Sequence, residues 1–537
     1  MASAPLPGPR SRSRPFSVGH GGPSKRPHSP AVLHEAPALQ SAFEPVAGGA
    51  PGQVQLTMPF RLRRFQNWFF LGLMYCFFYM SRYNFSAVQA AVAEAFGWSH
   101  SNYGSVISAG LLTYGCAVFL NGPLADRIGG KRAILIGAAG AAFFNLLFGL
   151  CHLLLLKPAV MVNEQVVVPA ELAYGMSTST VLAMFAVLWA CNHYFQSFGA
   201  LSIVKINAAW FSVGERGKFA GIFGVMIQAG RTFAFTLLPL VLRFFPWQFA
   251  FFIPAAVLVV MWFACLSRVE NSPSAAGFQD LDTGDETPEE AQARPSTSFV
   301  LKKVFARRAP WIIALASMCI GMVRHSVDHW YVRYIGVMFG VPAKSLTSFV
   351  PYEFASVAMP IAAILGGLAA GNASDRLFGS RRAPVIFFAF LGQALCLIAL
   401  RSFIRDAWGA CLALVVISFF VQSAHSLVGG AASMDFGGRK AVATAAGLFD
   451  GAQYLAGSLV GAGMGRLLDK YRVAGHPGAE FEVWPILPLI FALVGAVVIS
   501  RLWNALPGRG GHGGVTSSTP SPSGSPACSA LPSAAKS

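Results

Sequence analysis

The sequence predicts an all-α membrane protein with twelve transmembrane helices in two pseudo-symmetric six-helix halves. Three observations carry this. Of 537 residues, 54% are hydrophobic and only 12% charged, with a mean hydropathy of +0.54, which is too little polar surface for a soluble globule. Apolar runs long enough to cross about 30 Å of hydrocarbon, at about 1.5 Å per residue, recur from Phe65 to Trp503. A loop motif also repeats: GPLADRIGGKR (122–132) and GNASDRLFGSRR (371–382) share G-x-x-x-D-R, then Gly and a basic pair, 249 positions apart.

In chain order, residues 1–57 are rich in Pro, Ser, Gly and Ala and read as a disordered tail, without the apolar core of a signal peptide. The N-terminal half, 58–267, holds spans near 65–90, 102–125, 133–156, 179–208, 218–242 and 247–267. Residues 268–308, acidic and then basic, form a linker. The C-terminal half, 309–507, holds spans near 309–335, 347–371, 383–403, 408–434, 443–467 and 483–505, and 508–537 form a second disordered tail. Lys and Arg gather in the even-numbered loops, for example at Arg127, Lys131, Arg132, Arg381 and Arg382. By the positive-inside rule the linker and both tails are cytoplasmic.

This loop bias accounts for the net charge of +17, so the charge is no argument for a nucleic-acid partner. The partner is the lipid bilayer. The nine cysteines lack paired metal-ligand spacing and read as packing residues, with no metal or cofactor implied. A phosphate-binding GKS/T loop, a nucleotide fold, an HExxH motif and a catalytic triad pattern are all missing, so no enzyme chemistry is expected.

Two charges then stand out. Arg82 lies inside YCFFYMSRYNF (75–85), and Arg324 lies 242 positions later inside MCIGMVRHSVDHW (318–330), at the same place in the other half. A charge at the bilayer centre costs at least a few kcal/mol, so each needs a partner. A guanidinium is always charged and donates a planar fork that fits a phosphate; two, one from each half, could clamp an anion. No acid lies within a turn of Arg82, whereas Asp328 follows Arg324 at i+4, so a local ion pair competes there. Tyr75 and Tyr79 precede Arg82 by seven and three residues, on the same helical face. The charges of the repeated loop, Asp126 with Arg127 and Asp375 with Arg376, suit a hinge whose pairs exchange as helices tilt.

With that loop repeat, the segments SRYNF (81–85), SVDHW (326–330), VPYEFASVAMP (350–360) and TAAGLFDGAQYLAGS (444–458) resemble the major facilitator superfamily, and within it the organophosphate:phosphate antiporters. That family includes glycerol-3-phosphate and hexose-phosphate transporters, and the resemblance covers about 60–505. It implies a monomeric secondary transporter of the bacterial inner membrane. Its phosphorylated organic anion is exchanged for inorganic phosphate by alternating access, held between Arg82 and Arg324. The same resemblance adds Tyr75, Tyr79, Tyr114, Lys205, Gln228, Gln422 and Tyr454 to the substrate site. Three positions depart from the family: Val118 and Tyr83 stand where the glycerol-phosphate branch has lysines, and Ile227 or Gln228 where it has a histidine. Lys205, His325, His329 and His425 are candidates to compensate. Two rivals remain: a proton-coupled organic-anion symporter, with His325, His329, Asp328 or Asp450 titrating, and a transporter-like membrane sensor of sugar phosphate.

One more buried pair is expected. Arg231 lies about 21 Å into the fifth span from the cytoplasm and Glu353 about 9 Å into the eighth from outside, at about 1.5 Å per residue. In a core of about 30 Å these depths coincide, so an Arg231–Glu353 gate pair is predicted. Topology is testable directly: single cysteines placed at 270–295 and near 515 should react with impermeant reagents from the cytoplasmic side only, and labelling from outside would overturn the orientation.

Overall fold

The computed structural model describes residues 57–162, 165–281, 308–428, 433–473 and 475–504, without the side chains of 123, 126, 162, 165, 213–221 and 433–446. The two tails and most of the linker lie outside the described residues. So does the side chain of Asp126.

Fourteen described helices follow one another: α1 (Met58–Phe96), α2 (His100–Ile128), α3 (Gly130–Leu150), α4 (Thr178–Gln196), α5 (Phe198–Trp210), α6 (Val213–Thr232), α7 (Leu238–Val241), α8 (Phe249–Arg268), α9 (Arg308–Met338), α10 (Val350–Leu377), α11 (Arg382–Ser402), α12 (Ala407–Ser426), α13 (Ser433–Lys470) and α14 (Ile486–Ser500). Among the described residues, nine helical segments are long and apolar enough to cross a membrane. The other three expected spans fall on α1, on α4 with α5, and on α13, which carry many of the polar side chains described below.

Local sequence explains the helix ends. Gly97 caps α1 at φ 66°, a left-handed conformation that glycine adopts without strain. Ser99, Ser177 and Asp406 each accept a hydrogen bond from a backbone N–H in the first turn of α2, α4 and α12. The expected fourth span breaks at Ser197, between α4 and α5. The fifth is α6, a π-helical turn Phe233–Leu237, and α7, with Pro239 just inside α7. Both interruptions lie near buried polar residues, where such breaks commonly occur.

The segment between α3 and α4 forms two antiparallel ribbons. β1 (Leu155–Lys157) pairs with β4 (Glu171–Leu172), and β2 (Val160–Val162) with β3 (Gln165–Val168). The run of β-branched valines in β2 and β3 favours extended backbone, a local signal overshadowed by the surrounding apolar spans.

α2 packs along α13, α6 against α10 and α1 against α9, so helices before residue 281 meet helices after 308. Hydrogen bonds between these two groups run from the level of Arg82 towards the end bearing residues 97–99 and 471–485, here called the first-loop end. Tyr103 Oη and Gln89 Nε2 both donate to the His329 carbonyl, at 3.0 and 3.1 Å. Ser86 Oγ lies 2.7 Å from His329 Nδ1. Tyr352 Oη donates to the Phe235 carbonyl.

Candidate functional site

Arg82 sits mid-way along α1 and is 1% exposed. Its Nε donates to Gln196 Oε1 at 2.8 Å and its Nη1 to Tyr454 Oη at 2.8 Å. Gln196, the last residue of α4, donates through Nε2 to Asn192 Oδ1, and Asn192 donates to the Ala141 carbonyl. The guanidinium is therefore aimed by a chain of hydrogen bonds reaching α3. Its Cζ lies 4.6 Å from both the Tyr79 and Tyr114 ring centroids, close enough for cation–π attraction in a desolvated setting. Tyr75 packs edge-on against Tyr79, and Tyr114 stacks on Tyr454 at 4.0 Å. Among the described residues, Arg82 Nη2 has no hydrogen-bond partner.

Arg324, on α9, is 6% exposed. Nη1 donates to Gln453 Oε1 at 3.4 Å, Nη2 to Tyr83 Oη at 3.5 Å, and Nε lies 3.6 Å from Asp328 Oδ2. Its Cζ is 5.8 Å from the centroid of Tyr454, whose ring also lies 5.9 Å from Arg82 Cζ. Two buried cations, from helices on either side of the linker, thus face the same aromatic ring.

The local ion pair expected at i+4 is present, and it belongs to something larger. Arg231 Nη2 bonds Asp328 Oδ1, and Tyr83 Oη donates to Asp328 Oδ2 at 3.1 Å. One carboxylate is shared by two guanidiniums and a phenol. Arg231 Nη1 also donates to Gln228 Oε1 at 3.4 Å, while among the described residues its Nε has no hydrogen-bond partner. A small recess, with room for about one water molecule, lies beside this group, with Arg231, Arg324, Asp328, Ser418 and Gln422 on its wall. Arg82 is not on that wall; it lies against the Tyr454 ring.

The predicted Arg231–Glu353 pair does not form: Arg231 bonds Asp328 on α9, and Glu353 is exposed. The helices at that depth do meet, through Tyr352 with Phe235 and Ser356 with Thr236. But Glu353 is turned about 100° around α10 from Tyr352, off the contact face. Lys205 also lies elsewhere, donating to the Ala125 carbonyl near the end of α2 at 3.1 Å. Arg127 and Arg376 are exposed, and Asp375 pairs with Arg382 at 2.7 Å, across its own loop.

His325 and His329 stack one turn apart, with Nδ1 and Nε2 at 3.4 Å. His425 Nδ1 lies 2.9 Å from Gln453 Oε1. Asp450, half-buried on α13, lies within electrostatic range of Arg324 and Arg82. The residues that sequence reasoning missed are Gln196, Asn192 and Gln453. Asn192 and Gln196, four apart inside a span, carry a signal that was available: buried amides need partners.

The shared carboxylate makes an asymmetric prediction for the stability of the purified protein. Asp328→Asn leaves two buried guanidiniums facing one another and should cost about 3–5 kcal/mol, the usual penalty for breaking a buried pair. Arg231→Leu leaves Arg324 to neutralise Asp328 and should cost much less. Adding Arg231→Leu to Asp328→Asn should recover part of the loss. Thermal melts in detergent check the order; equal losses in the two single variants would contradict the sharing.

Comparison with known proteins agrees with this architecture. The chain is 23% identical over 463 residues to a probable hexose phosphate transport protein of Chlamydia trachomatis, covering 83% of this chain and 91% of that one. It is 27% identical over 449 residues to a glycerol-3-phosphate transporter of Bacillus subtilis, covering 81% and 91%. It is also 24% identical over 420 residues to a membrane sensor protein of Escherichia coli, UhpC, covering 75% and 86%. Among solved structures, the fold is similar to a bacterial homologue of the human lysosomal transporter Spinster in an inward-facing, unoccupied conformation: TM-score 0.60, 13% identity, covering 83% of this chain and 98% of that one. It is likewise similar to the partially occluded inward-open xylose transporter XylE of Escherichia coli, with TM-score 0.57 and 14% identity, covering 83% and 100%. The Major Facilitator Superfamily model matches residues 71–462, and the chain belongs to that superfamily, a multi-helix membrane protein built for transport.

Proposed function

We propose that the protein carries a phosphorylated organic anion, of the sugar-phosphate or glycerol-phosphate class, across the membrane in exchange for inorganic phosphate. One observation carries this reading: Arg82 and Arg324, buried on either side of the linker, face one tyrosine ring, and among the described residues Arg82 Nη2 makes no hydrogen bond. A phosphate placed between them would accept from both forks. The names of the relatives from Chlamydia and Bacillus support the same substrate class.

The mechanism follows from alternating access. Residues 58–267 and 309–507 act as two bodies that rock about the site, joined by the 268–308 linker, in a monomer. In the positive-inside orientation the first-loop end would face outward, and the cross-linker hydrogen bonds at that end support reading this state as closed to the outside. Anion binding favours closure because only then do both bodies contact the anion. Without it, occlusion would desolvate cations that Asp328 balances only in part. This couples movement to a bound anion and yields exchange.

Reconstituted vesicles test this reading. Loading with inorganic phosphate should accelerate uptake of labelled glycerol 3-phosphate or glucose 6-phosphate several-fold over unloaded vesicles. Uptake that follows a pH gradient instead would favour the proton-coupled symporter. Binding without flux would favour a sensor, the role named for the relative from Escherichia coli. Replacing either guanidinium by an ammonium keeps the charge and removes the fork. Arg82→Lys and Arg324→Lys should therefore each lower phosphate exchange by about tenfold or more, the scale of one lost charge-assisted hydrogen bond. Near-normal exchange in either variant would contradict the clamp.

A further inference from the structure

α2 and α13 approach backbone to backbone in the part of the bundle nearer the first-loop end. A Cβ added to Gly461 would lie 2.6 Å from Ser108 Oγ and 2.9 Å from the Gly104 carbonyl oxygen, closer than real side chains come. Inside this seam Ser108 Oγ, on α2, makes two bonds to the backbone of α13. It donates to the Ser458 carbonyl and accepts from the Ala462 N–H at 2.6 Å. Ser458 and Ala462 are four residues apart, the very donor and acceptor that an uninterrupted α-helix joins to each other. A hydroxyl from the opposite side of the protein thus bonds both ends of one rung of the α13 ladder, and insertion of such a group into a ladder is a known cause of helix bending.

We propose that this insertion is a switchable hinge in α13 that couples the anion site to closure of the first-loop end. With Ser108 seated, its hydroxyl bridges Ser458 and Ala462 and holds the far part of α13 against α2. With Ser108 withdrawn, the Ala462 N–H closes onto the Ser458 carbonyl, the rung re-forms and that part of α13 swings away. The backbone groups are satisfied either way, and the freed serine hydroxyl can turn to a carbonyl in the preceding turn of its own helix. The two states are therefore close in free energy, as a moving part requires.

The hinge stands between two sets of contacts on one helix. One turn before it, Tyr454 accepts from Arg82 and Gln453 from Arg324. Beyond it, Asp469 accepts the backbone N–H groups of His100 and Ser101 at 3.1 and 2.8 Å. The His100 ring in turn lies between Arg333 Nε, at 2.6 Å, and Glu480, at 3.3 Å. An anion that draws Arg82 away from Tyr454 changes the load on the near side of the hinge, and the far side carries the closing contacts. α13 is thus one physical element that both places can bias, which is what energetic coupling requires. The inference rests on the alternating-access reading and is independent of which anion is carried.

Spin labels at Tyr174 and Val473, both exposed near the first-loop end, report its opening by pulsed dipolar spectroscopy. The protein is studied in nanodiscs, without substrate and with native cysteines replaced. Ser108→Ala should enrich the long-distance population about fivefold, the equilibrium equivalent of one net hydrogen bond. Gly461→Ala, which forces the same seam apart, should enrich it further. The double variant should open no more than Gly461→Ala alone, because both act on one contact. An unchanged distance distribution for Ser108→Ala, or additive opening in the double variant, overturns the hinge. Arg333→Gln separates this failure from a wider one. If it opens the end while Ser108→Ala does not, the hinge is wrong and alternating access stands; if neither opens it, alternating access falls as well.

Discussion

Three buried guanidiniums, two of them sharing the Asp328 carboxylate, set the terms for the rest of this protein. Arg82, Arg231 and Arg324 all lie under 10% exposed, and Asp328 contacts two of them directly. Charges removed from water need partners or they destabilise the fold. Here the compensation is incomplete by design of the sequence. Asp328 serves Arg231 and Arg324, while Arg82 relies on neutral acceptors and aromatic faces. The surplus positive charge lies where helices from before and after the linker meet, beside a small recess. An anion is the species that would complete such a site.

The aromatic rings do more than fill space. Tyr79, Tyr114 and Tyr454 surround the Arg82 guanidinium with π faces, which stabilise a cation without adding a competing negative charge. The Tyr83 phenol donates to Asp328. A neutral donor there leaves the carboxylate available to Arg231, which arrives from α6. Gln196 and Asn192 then fix the direction of Arg82 from behind, so its remaining donor stays aimed rather than free to rotate.

The fold class and the two central arginines were legible in the sequence because each rests on a strong physical signal. Long apolar runs and a repeated loop define the architecture, and a lone arginine in hydrocarbon has few explanations. The partner of Arg231 was not legible. Depth along a span is readable from residue counting, but the helix face is not, and a rotation of about 100° was enough to exchange Glu353 for Asp328. The break at Ser197 and the π-helical turn after Thr232 were invisible for a related reason. They follow from tertiary contacts of polar residues, which leave no periodicity of their own. Lys205 was placed by family resemblance alone, and its ammonium reaches a carbonyl of α2 instead.

The central claim is that guanidiniums from both sides of the linker grip one phosphate. Solid-state magnetic resonance on protein with 15N-labelled arginine side chains, in lipid and with inorganic phosphate bound, measures this directly through 31P dephasing of guanidinium signals. The account predicts that two guanidinium resonances are dephased at contact distance, one disappearing in Arg82→Lys and the other in Arg324→Lys. Dephasing of a single resonance, or dephasing that survives both substitutions, would contradict it.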